Sequence, residues 1–257
     1  MVSDCYNTCF VIKRGRECFM VDAGGGNGIF HQMKAANIAP EQVHHLFVTH
    51  GHTDHVLGVI WIIRQIAAMM LAGKYEDKLH LYCHDALADT IRTICTLTLQ
   101  KKLTDLFDDR IVFHVVVDGQ QEMILGRSIT FFDIHSTKLK QFGFTTELAD
   151  GAKLTCLGDE PYNPLCEAYV KGSKWLLCEA FCLYGERDIF KPYDKHHSTV
   201  REACELAEAM GIQRLVLWHT EEKNLKRRKK LYKAEGKAYF SGKIYVPDDL
   251  DRITLSR

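Results

Sequence analysis

The run Thr49-His50-Gly51-His52-Thr53-Asp54-His55 follows the apolar stretch Leu46-Phe47-Val48. Three histidines and one aspartate therefore fall within positions 50–55, directly beyond what reads as a buried strand. Two imidazoles separated by one residue can close on one ion from a turn. The Asp54-His55 pair points elsewhere and can hold a second. Neutral imidazole and carboxylate are the donors that zinc and similar divalent ions take. A polar loop with histidines clustered by chance is the plain alternative, and it has to account for partner donors further along the chain.

Those partners share one placement. The alternation and apolar runs predict strands at 9–13 and 17–22 around Arg14-Gly15-Arg16, then at 43–49, 79–83, 111–117, 121–125, 128–134, 154–157, 175–178, 215–218 and 244–246, with a closing strand at 252–255. Helices are expected over 29–36, 56–73, 85–101 and 200–210, and a short hairpin over Gly143-Phe144. The glycine run 24–26 lacks phosphate-loop spacing and reads as a tight strand-to-helix turn. His50, His135, Asp159, Glu179 and His219 each follow the end of a predicted strand. A sheet fixes its strand ends, so the loops beyond them can converge on one site.

Composition narrows the class. Among 257 residues, 33 basic and 33 acidic side chains cancel, so no global field draws the chain to nucleic acid or a membrane. With 46% hydrophobic residues, the chain can bury a substantial core. No repeat or linker divides it, so residues 1–257 are read as one domain. The ten cysteines include no Cys-x-x-Cys pair, and several sit inside apolar runs as small hydrophobes. A reducing cytoplasm is the expected compartment. No leader segment is visible, and the longest apolar stretch, 56–72, is interrupted by Arg64 and Gln65 and reads as a buried helix.

Taken in order, His50-x-His52-x-Asp54-His55, His135, Gly158-Asp159 and His219 resemble the metallo-β-lactamase superfamily across essentially the whole chain. The resemblance implies an α/β fold, a four-layer αβ/βα sandwich with a dinuclear metal site at one edge. It assigns His50, His52 and His135 to the first ion, Asp54, His55 and His219 to the second, and Asp159 to both. Asp22 falls where the family keeps a buried acid supporting the histidine loop. The expected cofactor is two divalent ions, zinc first, with manganese or iron acceptable to the same donors. Ions about 3.5–4 Å apart can share a water, lower its pKa toward about 7 and polarise a phosphoryl or carbonyl oxygen. Diiron redox members place an acid where His52 stands, so the donor set favours hydrolysis.

Glu179-Ala180-Phe181 and His197-Ser198-Thr199 are similar to the Glu-Ala and His-Ser-Thr motifs of ribonuclease Z and its phosphodiesterase relatives. Gln32 and Ala39-Pro40-Glu41-Gln42-Val43 resemble that branch's opening. The implied roles make Asp54, Glu179 and His197 the candidate catalytic residues, with His197 protonating the leaving oxygen and Glu179 orienting it. Ser198 as a helix cap and His196 as an exposed neighbour are the structural alternatives.

Three departures stand out. Only the stretch from His135 to Asp159 is available for the long arm with which ribonuclease Z grips transfer RNA, which leaves no room for one. Glu160 replaces the family's threonine and would repel a polyanion if it faced the metals. Asn7-Thr8 comes almost at once, so the family's first strand is expected to be missing or to lie in sequence preceding this chain. The basic run Lys223, Lys226, Arg227, Arg228, Lys229, Lys230 and Lys233 reads as a solvated helix face or a phosphate contact, with Tyr232 alone among the cations.

The leading expectation is hydrolysis of a small phosphodiester or RNA, without a membrane partner, by a chain whose relatives are commonly homodimers. Hydrolysis at carbon, as in lactonases and thioesterases, shares the metals but does not need Glu179 and His197. A non-catalytic metal-binding scaffold is the third reading.

Overall fold

Strands that turn an apolar face to the core assemble into two sheets. The computed structural model describes residues 4–255. The first sheet contains β1 (Phe10–Arg14), β2 (Glu17–Val21), β3 (Val43–Phe47), β4 (Leu79–Cys83) and β5 (Ile111–Val115), in that order. Its helices are α1 (Gly28–Ala35), α2 (Thr53–Leu71), α3 (Asp85–Thr98) and α4 (Lys101–Thr104). The second sheet contains β6 (Gln121–Ile124), β7 (Arg127–Asp133), β8 (Phe142–Glu147), β9 (Lys153–Cys156), β10 (Trp175–Glu179), β11 (Arg214–Trp218) and β12 (Lys243–Tyr245). Its helices are α5 (Glu167–Val170), α6 (Arg187–Phe190), α7 (Val200–Ala209) and α8 (Arg228–Gly236).

Three apolar clusters lie between four layers. Val59, Ile63 and Ile66 of α2 cover Met20, Leu46 and Leu81 on one side of the first sheet. Ala203, Cys204 and Ala207 of α7 and Tyr232 of α8 cover Leu176 and Leu215 of the second. Phe19, Phe47, Tyr82, Phe131, Phe144, Trp175 and Trp218 fill the space between the sheets. Period-two alternation sends Leu46 outward and Phe47 inward on one strand. The result is the four-layer αβ/βα sandwich that the resemblance implied.

Strand direction places the site. β2 through β5 run parallel. β9 through β12 run parallel, and β7 shares their direction because β8 is antiparallel to both β7 and β9. The ends of β3, β7, β9, β10 and β11 are followed by His50, His135, Asp159, Glu179 (the last residue of β10) and His219. Asp22, His135 and His219 each leave their strand in the left-handed region, at φ of 55°, 56° and 53°. Non-glycine residues pay about 1–3 kcal/mol to hold that conformation, and such positions cluster at functional sites.

Several expectations need correction. α2 starts at Thr53 rather than 56, so Asp54 and His55 occupy its first turn and His52 is its N-cap. The predicted helix over 85–101 breaks at Leu99 into α3 and α4. The short hairpin around Gly143 is the full strand β8, paired along Phe142–Thr146 with β7 and along Phe144–Glu147 with β9. Residues 252–255 form no ladder; Ile253 and Leu255 pack against the aromatic layer, and the Leu255 carbonyl accepts the Trp175 indole N–H at 3.2 Å. α2 has the length and hydropathy of a membrane-crossing helix, at 19 residues and 1.4. Its buried residues, Val56, Val59, Ile62, Ile63, Ile66 and Ala67 among them, are taken up by the core. Gly58 allows α2 to lie against the Asp22–Gly24 turn, because a Cβ there would strike the Ala23 carbonyl.

Candidate metal centre

Beyond the strand ends the donors converge. His50 Nε2 and His52 Nδ1 lie 2.8 Å apart. Asp159 Oδ2 lies 3.4 Å from His50 Nε2 and 3.3 Å from both His55 Nε2 and His219 Nε2. Asp54 Oδ2 is 3.5 Å from His219 Nε2 and 3.8 Å from His55 Nε2. Three groups, His50/His55/Asp159, Asp54/His55/His219 and Asp159/His197/His219, bring donor atoms within 4.8 Å of one another. Asp159 belongs to two of them, so its carboxylate joins the His50 side to the His219 side.

The fit to cations rests on unsatisfied atoms. His55 Nε2, Asp159 Oδ1, Glu179 Oε2, His197 Nδ1 and both ring nitrogens of His219 are buried without a hydrogen-bond partner. Each such atom costs about 1–3 kcal/mol when left unpaired, and native folds hold few of them. His55 Nε2, Asp159 Oδ1 and His219 Nε2, together at one strand-end edge, are atoms that divalent ions satisfy. The electrostatics agree. Burial, reinforced by the neighbouring His55, lowers the His50 pKa to about 4, which leaves its imidazole neutral. Burial opposes charge on Asp159, but His219 and His50 hold its carboxyl well below the usual range. Burial likewise opposes charge on His55, yet Asp22 and Asp159 raise its pKa to about 10, so a cation taken at its Nε2 would have to displace a proton.

A second ring of residues fixes the donors. Asp22 accepts the Thr49 N–H at 2.8 Å through Oδ1 and the Thr49 hydroxyl at 2.7 Å through Oδ2, which also lies 2.8 Å from His55 Nδ1. That is the supporting acid the resemblance implied. His50 Nδ1 lies 2.9 Å from Thr49 Oγ1 and 2.7 Å from the buried amide of Gln141. Gln141 Oε1 also accepts the Asp159 N–H at 3.4 Å. With its Nε2 given to a cation, His50 must carry its proton on Nδ1 and donate it to Thr49 Oγ1. Gln141 and Thr49 were missed at the sequence level. Thr49 adjoins the motif and is findable; Gln141 precedes the segment read as a hairpin, where nothing in its neighbours marks it.

Glu179 and His197 are also together, with His197 Nδ1 at 3.6 Å from Glu179 Oε2. The other Glu179 oxygen accepts the Ser198 N–H at 2.6 Å. The His197 ring is stacked between Phe181, at 4.9 Å, and His219, at 5.1 Å. Ser198 does not cap α7; Thr199 and Glu202 form the capping box.

His135 stands apart. Its ring is exposed and its N–H donates to Asp133 Oδ1 at 2.7 Å. Glu160 does not face the donors as a free acid. It is 6% exposed and accepts the Ser136 hydroxyl at 2.5 Å and the Thr137 N–H at 3.4 Å, holding the loop after His135. The basic run is partly structural: buried Arg228 donates to Thr220 Oγ1, the Pro247 carbonyl and Asp248, and Lys229 pairs with Asp248 and Asp251. Tyr232 is fully buried and donates to the Phe181 carbonyl at 3.0 Å, so it offers no ring to a base.

Comparison with known proteins points the same way. The family model of the metallo-beta-lactamase superfamily matches residues 2–131, half of the chain. A ribonuclease Z from Pyrococcus horikoshii is 24% identical over an alignment covering 95% of this chain and 89% of that protein. The metallo-beta-lactamase fold protein YhfI from Bacillus subtilis superposes with a TM-score of 0.75 at 17% identity, covering 95% of this chain and 89% of its own. The short form of human tRNase Z superposes with a TM-score of 0.72 at 18% identity, covering 98% and 93%. With family match, sandwich and donor set in agreement, the chain belongs to the metallo-beta-lactamase superfamily and is a metal-dependent hydrolase of that kind.

Proposed function

We propose that this chain hydrolyses phosphodiesters with two divalent ions, zinc foremost, as an armless relative of ribonuclease Z. The observation that carries the reading is the Glu179–His197 pair set against Asp159 and His219. An alkoxide leaving a phosphorus centre needs a proton as it departs, and this pair can supply one. The names of the relatives support the same reading.

His50, His52 and Asp159 would hold one ion, and Asp54, His55, His219 and Asp159 the other. His135 joins the first set only after its left-handed turn rearranges. Bound there, the ions supply a water deprotonated at neutral pH and neutralise charge on the phosphoryl oxygens. Asp22 fixes His55 and, through Thr49, His50. Glu179 faces His197 Nδ1 and leaves the ring's other nitrogen free to give a proton to the departing oxygen. Phe181 and His219 fix the plane of that ring. The free cysteines among the described residues support a reducing, cytoplasmic setting, and the layered core supports one domain. A homodimer is proposed from the resemblance alone.

The test is metal analysis of the purified protein together with turnover of bis-p-nitrophenyl phosphate against a panel of lactones and thioesters. Diester hydrolysis that tracks metal content is expected. Turnover of the carbon esters with none of the diester overturns the reading.

A further inference from the structure

His135 enters none of the three donor groups found among the described residues, and its ring is exposed. The bonds around it show what keeps it there. Its N–H donates to Asp133 Oδ1 at 2.7 Å, and its carbonyl accepts the Asn163 side-chain amide at 3.4 Å. The strap that follows, residues 136–140, is tied down along its length. The Ser136 hydroxyl donates to Glu160 Oε1 at 2.5 Å and accepts the N–H groups of Lys138 and Leu139 at 3.1 and 3.2 Å. The Thr137 N–H donates to Glu160 Oε2 at 3.4 Å. Thr137 Oγ1 lies 2.6 Å from His196 Nδ1, in the loop that carries His197. Lys140 pairs with Asp85 at 2.9 Å.

Glu160 is the centre of this arrangement. It is buried, it follows the bridging Asp159 directly, and each of its two oxygens accepts a bond from the strap. Threonine, which the resemblance leads one to expect at this position, would bring one short hydroxyl in place of two carboxylate oxygens. A movement of the left-handed turn at His135 pulls on Ser136 and Thr137, and through them on Glu160 and His196. The two ion places are affected unequally. Around Asp54, His55, His219 and Asp159 the neighbouring donor atoms already stand 3.3–3.8 Å apart. On the other side His50, His52 and Asp159 are at hand, and the fourth donor is held away.

We propose that Glu160 and Thr137 are positioning residues that hold His135 off the first ion. The protein therefore takes one ion tightly, at Asp54, His55, His219 and Asp159, and the other weakly, at the expense of the Thr137–His196 contact. A ligand whose binding-competent state is a minor fraction of the population loses affinity by that fraction. The inference rests on the two-ion part of the proposed function.

The experiment titrates protein stripped of metal with Zn²⁺ by calorimetry against a competing chelator, and follows amide hydrogen exchange in residues 136–140. Two binding events with dissociation constants separated by about tenfold or more are expected, and exchange in the strap should rise with the weaker event alone. Thr137→Val, which keeps the shape and removes the hydroxyl, should tighten the weaker event by about fivefold and leave the tighter one unchanged. Thr137→Ser should return the original affinity. Adding His135→Ala to Thr137→Val should cancel the gain, because the gain is His135 reaching the ion. Equal affinities in the unaltered protein, no gain in Thr137→Val, or a gain that survives His135→Ala overturns the inference and leaves the two-ion reading standing. A single equivalent at saturation in the unaltered protein and in both variants overturns the two-ion reading together with the inference. Diester turnover is scored separately, so metal binding as described without turnover overturns the phosphodiesterase reading alone.

Discussion

Two groups of histidines stand at different levels of the sandwich and have opposite characters. His45 on β3, His80 on β4 and His114 on β5 lie within the sandwich, below the strand ends. His50, His52, His55 and His219 lie beyond them. In the lower group the nitrogens satisfy one another: His80 Nδ1 and His114 Nε2 are 2.8 Å apart, and His45 Nδ1 is 3.0 Å from the Tyr82 hydroxyl. The rings stack, His45 on His80 at 5.3 Å and Tyr82 on His114 at 4.7 Å. Among the described residues no carboxylate pairs with them. In the upper group Asp22, Asp54 and Asp159 enter the cluster, and nitrogens of His55 and His219 are left over. Density of histidine therefore does not make a metal centre. Carboxylates that bring negative charge, and buried lone pairs with nothing else to bind, do.

The hardest blow to this contrast is Asp159→Asn. Removing the shared carboxylate should strip at least one ion and lower diester turnover by on the order of 10³-fold, read by elemental analysis and initial rates. Full metal content in that variant would break the comparison. Next in size is His197→Ala, expected to cost roughly 10²-fold in kcat while keeping both ions. The loss should be larger on a nucleotide diester than on a nitrophenyl diester, whose leaving group needs no proton. Loss of an ion in this variant would make His197 a ligand rather than an acid.

Gln141→Leu should act through His50 and the Asp159 backbone that it holds, weakening the first ion by about tenfold and restoring little with added metal until that deficit is met. Gln141→Glu, which keeps an oxygen for the Asp159 N–H and gains one able to accept from His50 Nδ1, should recover part of the loss. A metal titration followed by activity and by thermal melting reads both. The smallest effect belongs to the lower histidines. Burial lowers the pKa of His45 to about 4, and it lowers those of His80 and His114 as well. The unfolded chain, with histidines near 6.5, therefore takes up more protons than the fold as pH falls. Their contribution is fully present above about pH 6.5 and is lost as pH drops toward 4. His45→Gln should flatten that decline, moving the acid-side melting temperature by roughly 3 °C without changing metal content. An unchanged pH slope would show that the lower cluster does not titrate with folding.

Much of this was legible from residue order. The motif at 50–55 and the recurrence of Asp or His just past apolar runs both follow from period-two patterning, which a single sequence displays directly. What escaped was non-local. β8 holds Gly143 near its start, and its pairing with β7 and β9 depends on a close approach that glycine allows but does not announce; a Cβ there would strike the Cys156 carbonyl. The helix start at Thr53 rather than 56 was missed because the donor residues look like loop, while the His52 carbonyl accepts the N–H groups of His55 and Val56.

By itself the sequence determined the chemistry: a histidine and carboxylate donor set, the strands that carry it, and a family whose sandwich aligns those strands. Only the tertiary structure decided how each donor is used. It turned Glu160 inward onto Ser136, left His135 facing solvent, enlisted Gln141 beneath His50, and consumed Arg228 inside the fold. The physical reason is that donor identity is a property of one residue, whereas orientation is set by neighbours distant in the chain, which meet only after the two sheets have packed.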